Sequence, residues 1–147
     1  WAVKGQAYKE QLLFLVDEDT HAFNKIIDGF RMPKDTDDEK EARALAIENA
    51  TIYATEIPFK VMETAFQSME VMQAMLKDGL QNSLSDAGVG VLCARTAVIG
   101  AYFNVRINAK DIKNREFAEK ILAKAASIYK QTIAIENDTI AYIDSKM

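Results

Sequence analysis

The 147-residue sequence has few residues of the kinds that build covalent or metal-bound scaffolds: one cysteine, one histidine, two prolines and six glycines. Cys93 cannot form an internal disulfide, so we expect a protein of the reducing cytoplasm rather than a secreted disulfide-rich domain. It lies in the most apolar stretch, which predicts an inert core thiol. No zinc-site spacing, HExxH, P-loop or Rossmann glycine pattern occurs, and we expect no metal site.

Long apolar runs and blocks of like charge are also missing. No segment reaches 18 uninterrupted apolar residues, so a membrane span is not expected. The net charge of −4 comes without a basic cluster, so a nucleic-acid partner is not expected either. The chain is instead 49% hydrophobic, as is typical of a globular, helix-rich domain that folds without disulfide bonds or metal ions.

Four stretches have the periodicity of amphipathic helices, with short turn signals between them. The first ends before Pro33, because proline disfavours helix in the residue that precedes it. The second begins at Thr36, which forms the pattern of a capping box with Glu39. Its apolar pattern continues past Pro58, where the helix either kinks or gives way to a new one, and stops at Gly79, a good C-cap.

The third stretch, residues 86–108, carries only two charged side chains in its interior, Arg95 and Arg106. A helix that is apolar all round belongs at the centre of a bundle. The fourth stretch runs from near Asn114 to the end, and no stretch alternates with the period of a strand. The sequence predicts one all-α domain over residues 1–147, a bundle of about five helices, with a core that such hairpins often complete by dimerising.

Asp19 interrupts the apolar stripe of the first helix. At 100° per residue that stripe contains Leu12, Leu15, Val16, Phe23, Ile26, Ile27 and Phe30. Burying a lone carboxylate costs free energy unless it is paired, hydrogen-bonded or protonated, and a carboxyl group held out of water is useful as an acid near neutral pH. Structural networks produce the same pattern, so Asp19 is either a structural partner or a general acid and base.

One face of the third helix is small in its middle and polar at its ends. Steps of three and four residues place on this face Asp86, Gly90, Ala94, Ala97, Ala101, Asn104 and Asn108. The two asparagines can each donate and accept hydrogen bonds, which suits the edge of a flat heterocyclic ring. Equally, the small residues could serve a close helix crossing while the asparagines satisfy nearby backbone groups.

Two strings in the sequence are more specific than these patterns. The first is LVDEDTHAF at residues 15–23 with Met-Pro-Lys at 32–34, and the second is Ser-Asp at 85–86 followed by GAYFNVRIN at 100–108. Together, and in their spacing, they resemble the cyclodeaminase domain of the formiminotransferase-cyclodeaminase family over nearly the whole chain. That family includes free-standing bacterial methenyltetrahydrofolate cyclohydrolases, which share the fold.

The resemblance implies an all-helical homodimer, or a higher homo-oligomer, with its active site near the subunit contact. The activity it implies is conversion of 5-formiminotetrahydrofolate to 5,10-methenyltetrahydrofolate with release of ammonia. The family's catalytic aspartate corresponds to Asp19, which would act as general base and then as general acid. The substrate is a tetrahydrofolate derivative, polyglutamylated or not, and no tightly bound cofactor is expected.

Five further residues are candidates for binding the substrate. We expect Asp86, Asn104 and Asn108 to bind the pterin ring, and Arg31 and Lys34 to meet the anionic glutamate tail.

The sequence departs from the family in one respect. Members carry, upstream of this region, a Pro-Gly-Gly-Gly-Ser motif and a helix of small residues, and neither precedes Trp1 here. Glycine-rich turns let backbone N–H groups approach a ligand. We therefore expect a domain that is incomplete at its N-terminus and 147 residues that bind folate weakly on their own.

Three functions stay open from the sequence: the cyclodeaminase, the related cyclohydrolase, and a non-catalytic bundle for dimerisation or scaffolding. The residues do not show whether the reaction releases ammonia, as in the cyclodeaminase, or consumes water, as in the cyclohydrolase. Both enzymatic interpretations require the carboxyl group of Asp19 to be held out of water beside a pocket.

Overall fold

A computed structural model describes residues 1–146, which form four α-helices: α1 (Ala2–Arg31), α2 (Asp37–Asp78), α3 (Leu84–Ala109) and α4 (Arg115–Asp144), with a short 3₁₀ helix at Gln81–Ser83 before α3. No strand occurs in this part of the chain, and the all-α prediction is confirmed. The predicted number of about five helices is corrected to four, because α2 continues through Pro58 instead of ending there. The short connections make consecutive helices antiparallel neighbours.

The helix starts that the sequence predicts are present. The Thr36 side chain accepts a hydrogen bond from the Glu39 N–H (3.2 Å), and the Glu39 carboxylate accepts one from the Thr36 N–H (2.9 Å). Asn114 caps α4 by accepting from the Phe117 N–H (3.1 Å). The connection before α4 is also tied to α2, because the Glu48 carboxylate accepts from the backbone N–H of Asn114 (3.0 Å).

The longest helix, α2, holds the bundle together, since it packs against each of the other three. Its largest buried cluster joins α2, α3 and α4 and contains Met62, Ala65, Val98, Ala101, Val105, Ile121 and Ala125. A second cluster joins α1 to α2 through Leu15, Ala22, Ala54 and Ile57. The two helices approach closely at Gly29, where an added Cβ would stand 3.0 Å from the Ile47 side chain.

The prediction that residues 86–108 form the central helix is wrong. The helix α3 packs against α2 and α4 on one side only, and its other face leaves Phe103 and Ile107 about 60% exposed (58% and 61%). Cys93 is exposed as well, which corrects the prediction of a core thiol. By length and composition the segment Gln81–Ala109 could cross a membrane, a property that core helices of soluble proteins share.

Candidate active site in the α1–α3 groove

The helices α1 and α3 lie on neighbouring sides of α2 and their backbones do not approach closely, since no Cα of α1 comes within 8 Å of a Cα of α3 in the described part of the chain. The hydroxyl group of Tyr53 on α2 donates to Glu18 of α1, whereas the carbonyl of the next residue, Ala54, accepts from Asn108 of α3. Ala54 also packs against α1. It therefore lies between the two helices, on the side of α2 that both of them border, and we call this side the α1–α3 groove.

Asp19 lies on the flank of α1 that faces this groove. The helix rests on α2 along the line of Leu15 and Ala22, both about 1% exposed. Glu18 is on the flank beside Tyr53, away from α3, and a further 100° of rotation brings Asp19 to the opposite flank. Leu12, seven residues earlier, shares that flank and packs against the cluster that contains the core residues of α3. The groove side of α1 thus carries Asp19.

The facing wall belongs to α3 and carries Asn104 and Asn108. Because α1 and α3 are both antiparallel to α2, they run parallel to each other. Ala54 contacts the cluster that contains Ala22 and is bonded by Asn108, so Asn108 lies at about the level of Ala22. Asn104 lies one turn, about 6 Å, earlier on α3. The two asparagines therefore bracket the level of Asp19 across the groove.

The side chain of Asp19 is exposed, so the prediction that this chain holds it out of water is wrong. The reason is that α1 contacts only α2, and its flank toward α3 has no cover. The apolar neighbours of Asp19 are exposed for the same reason, Val16 at 64% and Phe23 at 60%. The half-buried carboxylate of α1 is instead the adjacent Glu18.

Asn108 has a structural contact that the sequence left as an alternative. Its Nδ2 donates to the carbonyl oxygen of Ala54 at 2.8 Å, which confirms that it satisfies a backbone group. No protein donor reaches its Oδ1 among residues 1–146. That oxygen is available to accept a hydrogen bond, and Asn104 is exposed on the same wall.

Asp86 does not join the other two polar residues of α3 in one chain. It precedes Asn108 by 22 residues, which is about 33 Å along the helix axis. It lines a separate cavity of about 670 Å³ between α2 and α3, together with Met72, Met75 and Gly90. A single ring cannot contact both ends of this helix.

Arg31 and Lys34 lie at the end of the groove nearer to Asn108. Arg31 follows Ala22 by nine residues, about 14 Å along α1, and its guanidinium is 3.8 Å from the Asp28 carboxylate. Lys34 is exposed in the connection between α1 and α2. Both side chains are exposed.

One pair of partners at this site was not predicted from the sequence. Pro58 was expected to kink α2 or to begin a new helix, and its connection to Asn108 was not expected. A proline inside a helix frees the carbonyl four residues earlier, which is that of Ala54, and this signal predicts a donor from outside α2. Within residues 1–146 no cluster of three or more His, Cys, Asp or Glu side chains could hold a metal ion.

Comparison with known proteins gives a consistent result. Residues 1–127 match the family described as formiminotransferase-cyclodeaminase. The methenyltetrahydrofolate cyclohydrolase of Methylorubrum extorquens is 30% identical over 144 residues, which are 98% of this chain and 69% of that protein. The formimidoyltransferase-cyclodeaminase of Mus musculus is 35% identical over 125 residues, 85% of this chain. This chain spans 23% of the length of the mouse protein.

A solved structure has the same fold. The crystal structure of formiminotetrahydrofolate cyclodeaminase from Thermotoga maritima superposes with a TM-score of 0.72 at 18% sequence identity. The match covers 96% of this chain and 64% of that one.

Proposed function

This chain belongs to the formiminotransferase-cyclodeaminase family, and we propose that it is a formimidoyltetrahydrofolate cyclodeaminase. The reaction converts 5-formiminotetrahydrofolate to 5,10-methenyltetrahydrofolate and ammonia. The folate derivative is the substrate, and no tightly bound cofactor takes part. The observation that supports the proposal is the helical register, by which Asp19 of α1 and Asn104 and Asn108 of α3 fall on flanks that border the same side of α2.

Ring closure moves protons at two nitrogen atoms. The lone pair of N10 attacks the formimino carbon, N10 loses its proton, and the imine nitrogen gains protons before it leaves as ammonia. We assign both transfers to Asp19, which accepts the N10 proton as general base and returns it to the leaving nitrogen as general acid. The second proton comes from water, or is already present if the substrate binds as an amidinium ion. The N5 lone pair then expels ammonia and leaves the methenyl cation.

The asparagine wall would hold the pterin ring. A side-chain amide can donate and accept at once, as the edge of a pterin requires; Asn104 would offer both groups, and Asn108, whose Nδ2 bonds to Ala54, would offer its Oδ1 as an acceptor. Arg31 and Lys34 would meet the glutamate tail, single or polymeric, at the end of the groove. Asp86 has no part in the ring site of its own chain, because it lies at the far end of α3.

We also propose a homodimer in which a second copy covers the exposed flank of α1. Asp19 lies between Val16 and Phe23, which are 64% and 60% exposed. Removing water strengthens electrostatic interactions in a reaction site, and α1 has no cover of its own on this side. A subunit contact over this row would hold Asp19 out of water, as the enzymatic interpretation requires.

The central test is Asp19→Asn, which keeps the shape of the side chain and removes its acid–base function. We expect kcat for ammonia release to fall roughly 10²- to 10⁴-fold, with little change in thermal unfolding because the side chain is exposed. Asp17→Asn is the matched control, since Asp17 is exposed on the other side of α1. The assay uses the whole polypeptide that carries these residues and follows ammonia and methenyl absorbance together.

The outcome separates the enzyme from a scaffold. Loss of activity in Asp19→Asn with full activity in Asp17→Asn supports the proposal. Equal activity in both variants would contradict the assigned role, and a wild-type protein without any folate activity would leave a non-catalytic helical bundle as the better description.

A cyclohydrolase is the second candidate, and one observation favours it. The Methylorubrum extorquens protein that this chain resembles over 98% of its length is a methenyltetrahydrofolate cyclohydrolase. That activity adds water across the methenyl bridge, and the same carboxylate could activate the water molecule. Parallel assays decide between the two: ammonia release from 5-formiminotetrahydrofolate identifies the cyclodeaminase, whereas loss of methenyl absorbance without ammonia identifies the cyclohydrolase.

A further inference from the structure

Pro58 leaves one backbone carbonyl of α2 without its usual donor in the same helix. It is buried within the helix, and proline has no N–H with which to bond the carbonyl four residues earlier. That carbonyl belongs to Ala54, which is 7% exposed. Buried backbone carbonyls are almost always paired, so this one needs a donor from outside its own helix.

The donor comes from α3. Asn108 Nδ2 lies 2.8 Å from the Ala54 oxygen, and a carbonyl can bond only to the NH₂ end of the amide, which fixes which end faces α2. The neighbouring Thr55 hydroxyl donates instead to the Thr51 carbonyl of the same helix (2.8 Å). The Thr55 hydroxyl is therefore bonded within α2, whereas the Ala54 carbonyl, to which Pro58 cannot donate, is bonded by α3.

This bond also determines how Asn108 meets the groove. The amide group is planar, so anchoring Nδ2 on α2 sets the direction of Oδ1. No protein donor reaches Oδ1 in the described residues. An anchored amide loses less conformational entropy when a ligand binds than a freely rotating one, because its orientation is already set.

We infer that Pro58 is a positioning residue for Asn108: by withholding an N–H from Ala54, it holds the asparagine in one orientation with Oδ1 presented to the ligand. The inference rests on the proposed function only for its kinetic test, since the anchoring can be measured without activity. Replacing proline by a residue with an N–H would supply the Ala54 carbonyl from within α2 and release the amide.

The first experiment is nuclear magnetic resonance of the Asn108 side-chain NH₂. In the wild-type protein we expect slow exchange with water and two widely separated proton shifts, and in Pro58→Ala we expect fast exchange and shifts close to those of free amides. Pro33→Ala should leave the signal unchanged. Pro33 is the only other proline of the sequence and lies in the loop between α1 and α2. A wild-type amide that already exchanges freely would overturn the inference even if no variant folds.

The second experiment is a double-mutant cycle on urea unfolding. Asn108→Ala in the wild-type background leaves the Ala54 carbonyl without a donor and should lower the unfolding midpoint. In the Pro58→Ala background the backbone supplies that bond, so the same substitution should lower the midpoint by less than half as much. Equal decreases in the two backgrounds would show that the two residues are not coupled.

The third experiment separates positioning from stability. Pro58→Ala should raise KM for the folate substrate roughly fivefold, as expected for one weakened hydrogen bond, with kcat within about twofold of wild type. Asn108→Ala should raise KM by a similar factor, and the double variant by no more than either. Unchanged KM in Pro58→Ala would overturn the inference. Absence of activity in the wild type would count against the proposed function alone, because the amide signal and the unfolding cycle do not depend on it.

Discussion

Glu18 and Asp19 are consecutive carboxylates with different surroundings. Glu18 is half-buried and accepts a hydrogen bond from the Tyr53 hydroxyl, while Lys25 Nζ lies 4.5 Å from the centre of the same ring. Asp19 is exposed, because a rotation of 100° carries it from the outer flank of α1 to the groove. One carboxylate thus connects α1 to α2, and the other has no hydrogen-bond or ion-pair partner among residues 1–146.

The Tyr53 contact predicts a loss of stability at alkaline pH. The hydrogen bond to Glu18, together with burial, raises the pKa of Tyr53 above its usual value of 10.0. A raised pKa in the folded state means that the stabilisation is fully present below pH 10 and is lost as the pH rises through the folded pKa. We expect urea unfolding at increasing pH to show this loss, and Tyr53→Phe to reduce it.

The matched control for that experiment is Tyr142→Phe, which removes an exposed tyrosine hydroxyl from the far end of α4. At neutral pH, Tyr53→Phe should cost about 1 kcal/mol, as for a typical hydrogen bond. A stability profile of Tyr53→Phe that parallels the wild type above pH 10 would show that Glu18 does not hold the hydroxyl group in solution.

At the level of single residues, the sequence predicted the apolar neighbours of Asp19 along α1 but not that they and Asp19 are exposed. The apolar neighbours of Asp19 on α1 follow from helical periodicity alone. Whether they are buried depends on whether another helix lies over them, and the periodicity of α1 gives no information about that. The role assigned to Asp19, and those of Asn104, Arg31 and Lys34, stay predictions.

Among the elements, helix starts and stops were predictable because their causes are local. Thr36 and Glu39 cap α2 through bonds within four residues, and an added Cβ at Gly79 would stand 2.3 Å from the Met75 oxygen. The continuity of α2 through Pro58 was not predictable in this way. It depends on a donor 50 residues further along the chain, which only the packing of α3 supplies.

Two helical glycines give a matched pair of predictions. Both would gain helix propensity on substitution by alanine, which is worth about 0.5–1 kcal/mol. An added Cβ at Gly100 meets no atom within 4 Å in the described chain, whereas at Gly29 it would stand 3.0 Å from Ile47 Cγ1. We expect Gly100→Ala to raise the free energy of unfolding by about this amount, and Gly29→Ala to gain less or to lose stability.

Urea unfolding of the two variants, measured side by side, checks this difference. Equal gains would mean that α1 and α2 are less closely packed at Gly29 than the structure shows. A loss of stability in Gly100→Ala would instead mean that a surface outside the single chain packs against α3 at this position.

On the scale of the whole molecule, the single chain leaves many of its large apolar side chains exposed. Along α1, Phe23 and Phe30 are 60% and 55% exposed, and along α3 Val89, Phe103 and Ile107 are each more than half exposed. Large contiguous apolar patches on soluble proteins usually mark contact surfaces. The sequence pattern therefore predicted that these faces are apolar, and the single chain leaves them uncovered; the prediction that dimerisation completes the core stays a prediction.

The proposed dimer makes the last prediction, because it links this surface to the chemistry of Asp19. Burying one phenyl ring is worth roughly 1.5–3 kcal/mol, and a symmetric dimer loses two such rings, so Phe23→Ser should weaken self-association by about 3–6 kcal/mol, roughly 10²- to 10⁴-fold. Phe14→Ser is the control, since Phe14 is equally exposed at 56% but points away from the groove. The fraction of dimer, measured by sedimentation, and the specific activity are followed over the same range of protein concentrations. Both should decrease together in Phe23→Ser and in neither the wild type nor Phe14→Ser. Dissociation with full activity would contradict a site completed by the second subunit, whereas weakened association in Phe14→Ser instead would place the contact on the opposite flank of α1.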